Sequence, residues 1–194
     1  LGTIAKDNPW EFIHKARFGQ PGIGIMPAGV TMNRATQESA DLLAFVQTLP
    51  AESPVTEGGR LYDNWWKAIG MEEPPPGDQP LWATQTTNTR TGGDTWRCKE
   101  CHGWDYKGVD GVYGSGSHLT GFPGVLNTKT VNPADLTAWL TGKKNPDHDF
   151  SVYLGEAQVR MLVAFIQHGV TDRSDYIDMD GTVNGDPTRG ETHY

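Results

Sequence analysis

Apolar side chains recur at helical spacing in three places along the chain. Leu42, Leu43, Val46 and Leu49 mark one face of a helix from Gln37 to Leu49. Pro50 and Pro54 stop it. Val159, Leu162, Val163 and Ile166 mark a second helix from Glu156 to His168, with Gly169 where a C-terminal cap belongs. A third, short helix runs from Asp135 to Thr141 behind Asn132 and Pro133, because proline suits a first helical turn. Elsewhere the period is lost. Residues 72–80, EEPPPGDQP, form a stiff extended connection. Residues 103–124 are rich in glycine without any helical repeat and read as a loop. No segment reads convincingly as a strand. The pattern predicts an all-α, loop-rich fold.

The pattern also repeats. LLAFVQ at 42–47 matches LVAFIQ at 162–167. Asn8-Pro9 with Trp10, Phe12 and Ile13 matches Asn132-Pro133 with Leu136 and Trp139. Thr56, Gly58 and Tyr62 return as Thr188, Gly190 and Tyr194. On this reading residues 1–50 are the back half of one unit, 51–170 a whole unit, and 171–194 an acidic linker and the start of a further unit. The linker carries Asp178, Asp180, Asn184 and Asp186, an echo of a calcium loop. It lacks the full D-x-D-x-D-G order and the closing glutamate, so a solvated linker is expected there.

Composition narrows the partners. With 24 glycines and 13 prolines in 194 residues, loops carry much of the chain. A net charge of −8 argues against a nucleic-acid partner, which needs a basic surface. No apolar run approaches the length of a membrane span. No signal-peptide pattern stands at Leu1, so a mature chain or a fragment is expected.

The two cysteines point to chemistry. They are too few for a disulfide framework or a four-thiolate metal site. They stand at Cys98 and Cys101, followed by His102, and C-K-E-C-H is the attachment signature of c-type haem. Two thiols three positions apart reach the two vinyl groups of one porphyrin, and the adjacent imidazole lies under the iron. A thioredoxin-like pair would want a strand–helix context, whereas polar TGGDT at 91–95 precedes this motif. A zinc site would want a second thiol pair.

This motif, the glycine-rich loop ending GSHLTG at 116–121, and the closing amphipathic helix together resemble a class I-like cytochrome c domain. The resemblance covers residues 56–170, and it covers 1–50 as a half-domain. There GIGIMPA at 22–28 looks like the family's Met-Pro ligand loop before its last helix. Membership would imply a small helical domain wrapped around one covalent haem c, with electron transfer as its activity. It would also imply attachment in the periplasm or another extracytoplasmic, extracellular space. The departure is that 1–50 holds no C-x-x-C-H. Met26 is then an axial ligand of another haem or a core methionine. The chain is expected to belong to a longer multi-haem cytochrome.

The second axial ligand sets the reduction potential. The resemblance implies that it comes from the loop before the closing helix. Carrying Met26 across the repeat lands on residues 146–150, which hold His148 and no methionine. His148 is the expected partner of His102, with His118 and Met161 as alternatives. Met161 points away from the apolar stripe of its helix. Trp96, Trp104, Leu119, Phe122, Trp139, Phe150, Leu162 and Ile166 are candidates for the wall of the haem pocket. The leading function is electron transfer to redox partner proteins or neighbouring haem domains. The rivals are a haem redox enzyme, peroxidase-like or sulfur-oxidising, with an open axial site, and a subunit of an oligomer or larger extracellular cytochrome assembly.

Overall fold

Each of the three expected helices forms, within two residues of its expected ends. The computed structural model describes residues 36–48 and 53–193. The chain divides into two units, Leu1–Ser53 and Pro54–Tyr194. Of the first unit the description covers helix α1, Thr36–Thr48, and Ser53. Met26 with its loop at 22–28, and the Asn8-Pro9 pair, lie outside the described residues.

The second unit opens on a helix that the spacing argument missed, α2, Pro54–Ala68. Its apolar face was present as Leu61, Tyr62 and Trp65, all buried. Glycines at 58 and 59 and a break at Asn64 (φ −154°, ψ 86°) interrupt the period. The Asn64 side chain accepts from the Lys67 N–H at 3.2 Å, restarting the helix after the break. A short helix, α3, Cys98–His102, carries the C-K-E-C-H motif. Helix α4, Pro133–Leu140, starts as expected: Asn132 caps the Ala134 N–H at 2.8 Å, and Pro133 takes the first turn. The closing helix α5, Glu156–His168, has its expected bounds. Gly169 follows it, and its N–H bonds the Phe165 carbonyl at 2.7 Å. Helix α6, Pro187–His193, ends the described chain.

Among the described residues there is no strand, only three isolated bridges. Loops and short 3-10 turns join the helices. Residues 72–79 hold no helix, and 103–124 is a loop broken by two 3-10 turns, Val112–Gly114 and Gly116–His118. Residues 171–186 are more structured than a plain linker, with a turn closed by the Ile177–Val183 bridge. The calcium echo stays exposed there, and no cluster of three potential metal ligands forms among the described residues. No described helix is long and apolar enough to cross a membrane.

The core is the crossing of α2 and α5, closed by aromatic side chains. Val159, Leu162, Val163, Phe165 and Ile166 of α5 are buried in one cluster with Leu61, Tyr62 and Trp65 of α2. Trp65 is fully buried; its ring meets Trp96, Phe150 and Tyr153, and its indole N–H donates to the Trp96 carbonyl at 2.7 Å. Burial of rings this large dominates core energetics, and the paired N–H removes the cost of a buried donor.

Gly58 sets how closely the two helices approach. A Cβ there would lie 2.0 Å from the Met161 carbonyl oxygen and 2.6 Å from the Phe165 Cβ. Alanine is the better helix former by about 1 kcal/mol. The clash is with backbone, which cannot swing aside, and overpacking of this kind costs about 1–3 kcal/mol. Gly58→Ala is therefore expected to lower the urea midpoint of unfolding. A midpoint at or above that of the unaltered protein would mean that α2 and α5 separate without penalty.

Candidate haem-binding site

Helix α2 holds the C-K-E-C-H motif at both ends. At the start of α3, the Arg97 guanidinium donates to the Asp63 carbonyl at 2.9 Å and pairs with the Asp63 carboxylate at 2.5 Å. At its end, the Tyr62 hydroxyl donates to the Gly103 carbonyl at 2.6 Å. Gly103 closes α3 with φ 77°, a left-handed value that favours glycine, and its N–H bonds the Lys99 carbonyl. One turn of helix brings Cys98, Cys101 and His102 to the wall of the same cavity.

That cavity has a volume of ≈ 540 Å³, in the usual range for small-molecule sites. Its wall is overwhelmingly apolar. Of the candidate wall residues, Trp96, Phe122, Trp139, Phe150, Leu162 and Ile166 line it. Leu136 and Leu140 of α4, Leu81, Val125, Tyr62 and Gln79 line it as well and were not foreseen. The two leucines lay on the helix expected at 135–141, and their four-residue spacing was the available signal. Both cysteines are free, and burial pushes both thiols up to about 12, so they are protonated thiols.

His102 and His148 both line this cavity. Their ring centroids are 6.3 Å apart and the ring planes cross at 70°. His102 Nδ1 lies 2.6 Å from the Pro123 carbonyl oxygen, and His148 Nδ1 lies 3.1 Å from that of Trp139. A carbonyl only accepts, so each Nδ1 carries the proton and each Nε2 keeps its lone pair. Metal-bound histidines are oriented by this kind of outer hydrogen bond. Two metal–imidazole bonds of about 2.0–2.1 Å, with ~1.1 Å more from each nitrogen to its ring centre, require centroids about 6.3 Å apart. The pair therefore has the spacing that one metal ion between two imidazoles needs. The thiols and the apolar wall supply what the porphyrin needs, so the residues present fit a haem.

The His148 side is held firmly. Asn145 and Pro146 start a 3-10 turn, Pro146–His148, with the Asn145 side chain accepting from the Asp147 N–H at 3.0 Å. The Phe150 N–H bonds the Leu140 carbonyl at 3.0 Å, and the Phe150 ring lies edge-on against the His148 ring at 4.9 Å. Burial lowers the affinity of both imidazoles for a second proton, taking His102 down to about 4.

Four of the expected residues stand elsewhere. Trp104 is 44% exposed and lines a separate surface cleft, with the Lys99 ammonium 5.4 Å from its ring centre. Leu119 does not line the cavity; the 3-10 turn before it carries it off the wall, and its carbonyl accepts from the Thr87 hydroxyl at 2.6 Å. His118 is stacked on Tyr113 at 4.5 Å, with its Nδ1 3.9 Å from the buried Glu100 carboxylate, and is not on the cavity wall. Met161 is half-buried on the α5 face where its backbone meets Gly58, also off the wall. Neither alternative axial ligand reaches the space between His102 and His148.

No protein-family model, curated protein or solved structure matches the chain.

In the haem-free chain the two imidazoles are expected to make stability depend on pH. An unfolded histidine takes its second proton near 6.5, and folded His102 takes it only near 4. Between those values the unfolded chain binds more protons, so stability present above pH 6.5 is lost as pH falls toward 4. Urea midpoints are expected to drop across that window, less steeply in His148→Phe, which removes one of the two groups. Equal slopes in both proteins would refute the role of His148.

Proposed function

We propose that residues 54–194 form an electron-transfer module built on one covalent haem c, with His102 and His148 as its axial ligands. The observation that carries this reading is the 6.3 Å separation of two imidazoles across an apolar cavity whose wall also holds both thiols of C-K-E-C-H. When bound, haem supplies a one-electron iron couple. The chain's part is to hold and insulate it. Cys98 and Cys101 would hold the porphyrin as thioethers, and His102 and His148 would offer their Nε2 lone pairs to its iron. Leu136, Leu140, Leu162 and Phe150 keep water away, which tunes the potential through the local dielectric.

Two protein ligands leave no axial position for a substrate, which favours a carrier over a haem enzyme. Bis-histidine ligation gives a lower potential than histidine–methionine. The partners are redox proteins or neighbouring haem domains, and the sequence echoes in 1–50 and 171–194 favour a multi-haem chain. Thioether attachment belongs to the outer side of the cytoplasmic membrane, so a periplasmic or extracellular location follows from the same reading.

Two experiments test it. Acid–acetone extraction should leave one haem on this 194-residue chain, and Cys98→Ala with Cys101→Ala should release it. Loss of all haem from the unaltered protein would defeat the proposal. His148→Ala should open the sixth position and admit cyanide or carbon monoxide within mixing times. His118→Ala and Met161→Leu should keep the parent low-spin spectrum. An unchanged spectrum in His148→Ala, with a change in either of the others, would move the ligand.

A further inference from the structure

The segment between α2 and the attachment motif bonds both to residues 92–96 and to the turn that carries His148. On the attachment side, three consecutive residues bond to residues 92–96. The Gly77 carbonyl accepts from the Trp96 indole N–H at 3.0 Å, the Asp78 carboxylate accepts from the Gly92 N–H at 2.5 Å, and the Gln79 N–H donates to the Thr95 hydroxyl at 2.9 Å. Thr95 stands three residues before Cys98. On the opposite side, the Gln79 side-chain amide donates to the Asp147 carbonyl at 2.6 Å, one residue before His148.

Gln79 itself is 4% exposed, and all its polar groups are used. Its Oε1 accepts from the Leu81 N–H at 2.7 Å and its carbonyl accepts from the Trp82 N–H at 2.8 Å. A buried glutamine is retained where each group has a partner and the network specifies one geometry. Here the network joins the residues that precede the thiols to the turn that carries His148. Its amide is a direct side-chain hydrogen bond from the attachment side into that turn.

We infer that Gln79 is a positioning residue for the sixth ligand: its side chain holds the Pro146–His148 turn at the distance from the attachment segment that keeps His148 on the iron. This rests on the haem reading above. Gln79 touches neither the iron nor a ligand atom, and it acts through the Asp147 carbonyl. Without that tie, the turn keeps its local caps but gains freedom to swing His148 outward.

The test uses the reduced holoprotein and carbon monoxide, whose binding rate reads how often His148 leaves. Gln79→Met keeps nearly the same volume without polar groups. Gln79→Glu keeps the acceptor for Leu81 and loses the donor to Asp147. Both are expected to bind carbon monoxide about tenfold faster than the parent, a factor equivalent to about 1.4 kcal/mol. The resting spectrum stays low-spin and both thioethers stay intact. Thr84→Ala, which removes a hydroxyl bond to the Leu81 carbonyl in the same Pro80–Thr84 turn, should leave the rate unchanged and so reports on loosening of that turn alone.

Parent-like rates in both Gln79 variants, or equal acceleration in Thr84→Ala, would overturn the assignment of Gln79. Gln79→Met alone decides the matter where the glutamate variant does not assemble. Absence of covalent haem or of a low-spin spectrum in the unaltered protein would instead overturn the haem reading, and this inference with it.

Discussion

Two backbone carbonyls, of Pro123 and Trp139, decide what the cavity can hold. Each accepts a hydrogen bond from the Nδ1 of a histidine and so leaves the lone pair on the other ring nitrogen. The ring centres of the two histidines lie 6.3 Å apart, the separation that one metal ion between two imidazoles requires. The rest of the unit serves to keep those carbonyls and those rings in place.

On the side of His102, the work is done by α2. Tyr62 and Asp63 grip the two ends of the short attachment helix, while Gly58 lets α2 press against α5. On the side of His148, α4 supplies both the Trp139 carbonyl and the Leu140 carbonyl that anchors Phe150. The extended segment before Cys98 bridges the two halves through Gln79. An apolar lining then makes the pocket hostile to a second charge, and it holds both imidazoles neutral at ordinary pH. The same low dielectric tunes a haem's potential and protects its ligands from water.

Much of this was legible from residues whose meaning is local. C-K-E-C-H is a spacing motif, and spacing survives without knowledge of the fold. The α5 stripe and the Asn132-Pro133 start are equally local, and both helices appeared within two residues of their expected ends. His148 was expected from a repeat, which carries long-range information in one dimension, and its ring stands 6.3 Å from that of His102. Helix α2 was hidden because Gly58, Gly59 and Asn64 weaken its helical signal, and only a tertiary contact explains Gly58. Gln79 was hidden among polar and proline residues that look solvated. Nothing in sequence says that one of them lines a cavity and bonds to both Thr95 and Asp147. Trp104 and Leu119 were misjudged for the opposite reason: they lie near the motif in sequence, but the loop turns both off the wall.

On the proposed reading, one iron sits between the imidazoles of His102 and His148. Pulsed electron paramagnetic resonance on the oxidised protein, with histidine labelled by nitrogen-15, reads the axial nitrogens directly. The expected result is a low-spin signal coupled to two histidine imidazoles, one of which disappears in His148→Ala. A signal coupled to a single imidazole in the unaltered protein, with sulfur or water as the other ligand, would contradict it.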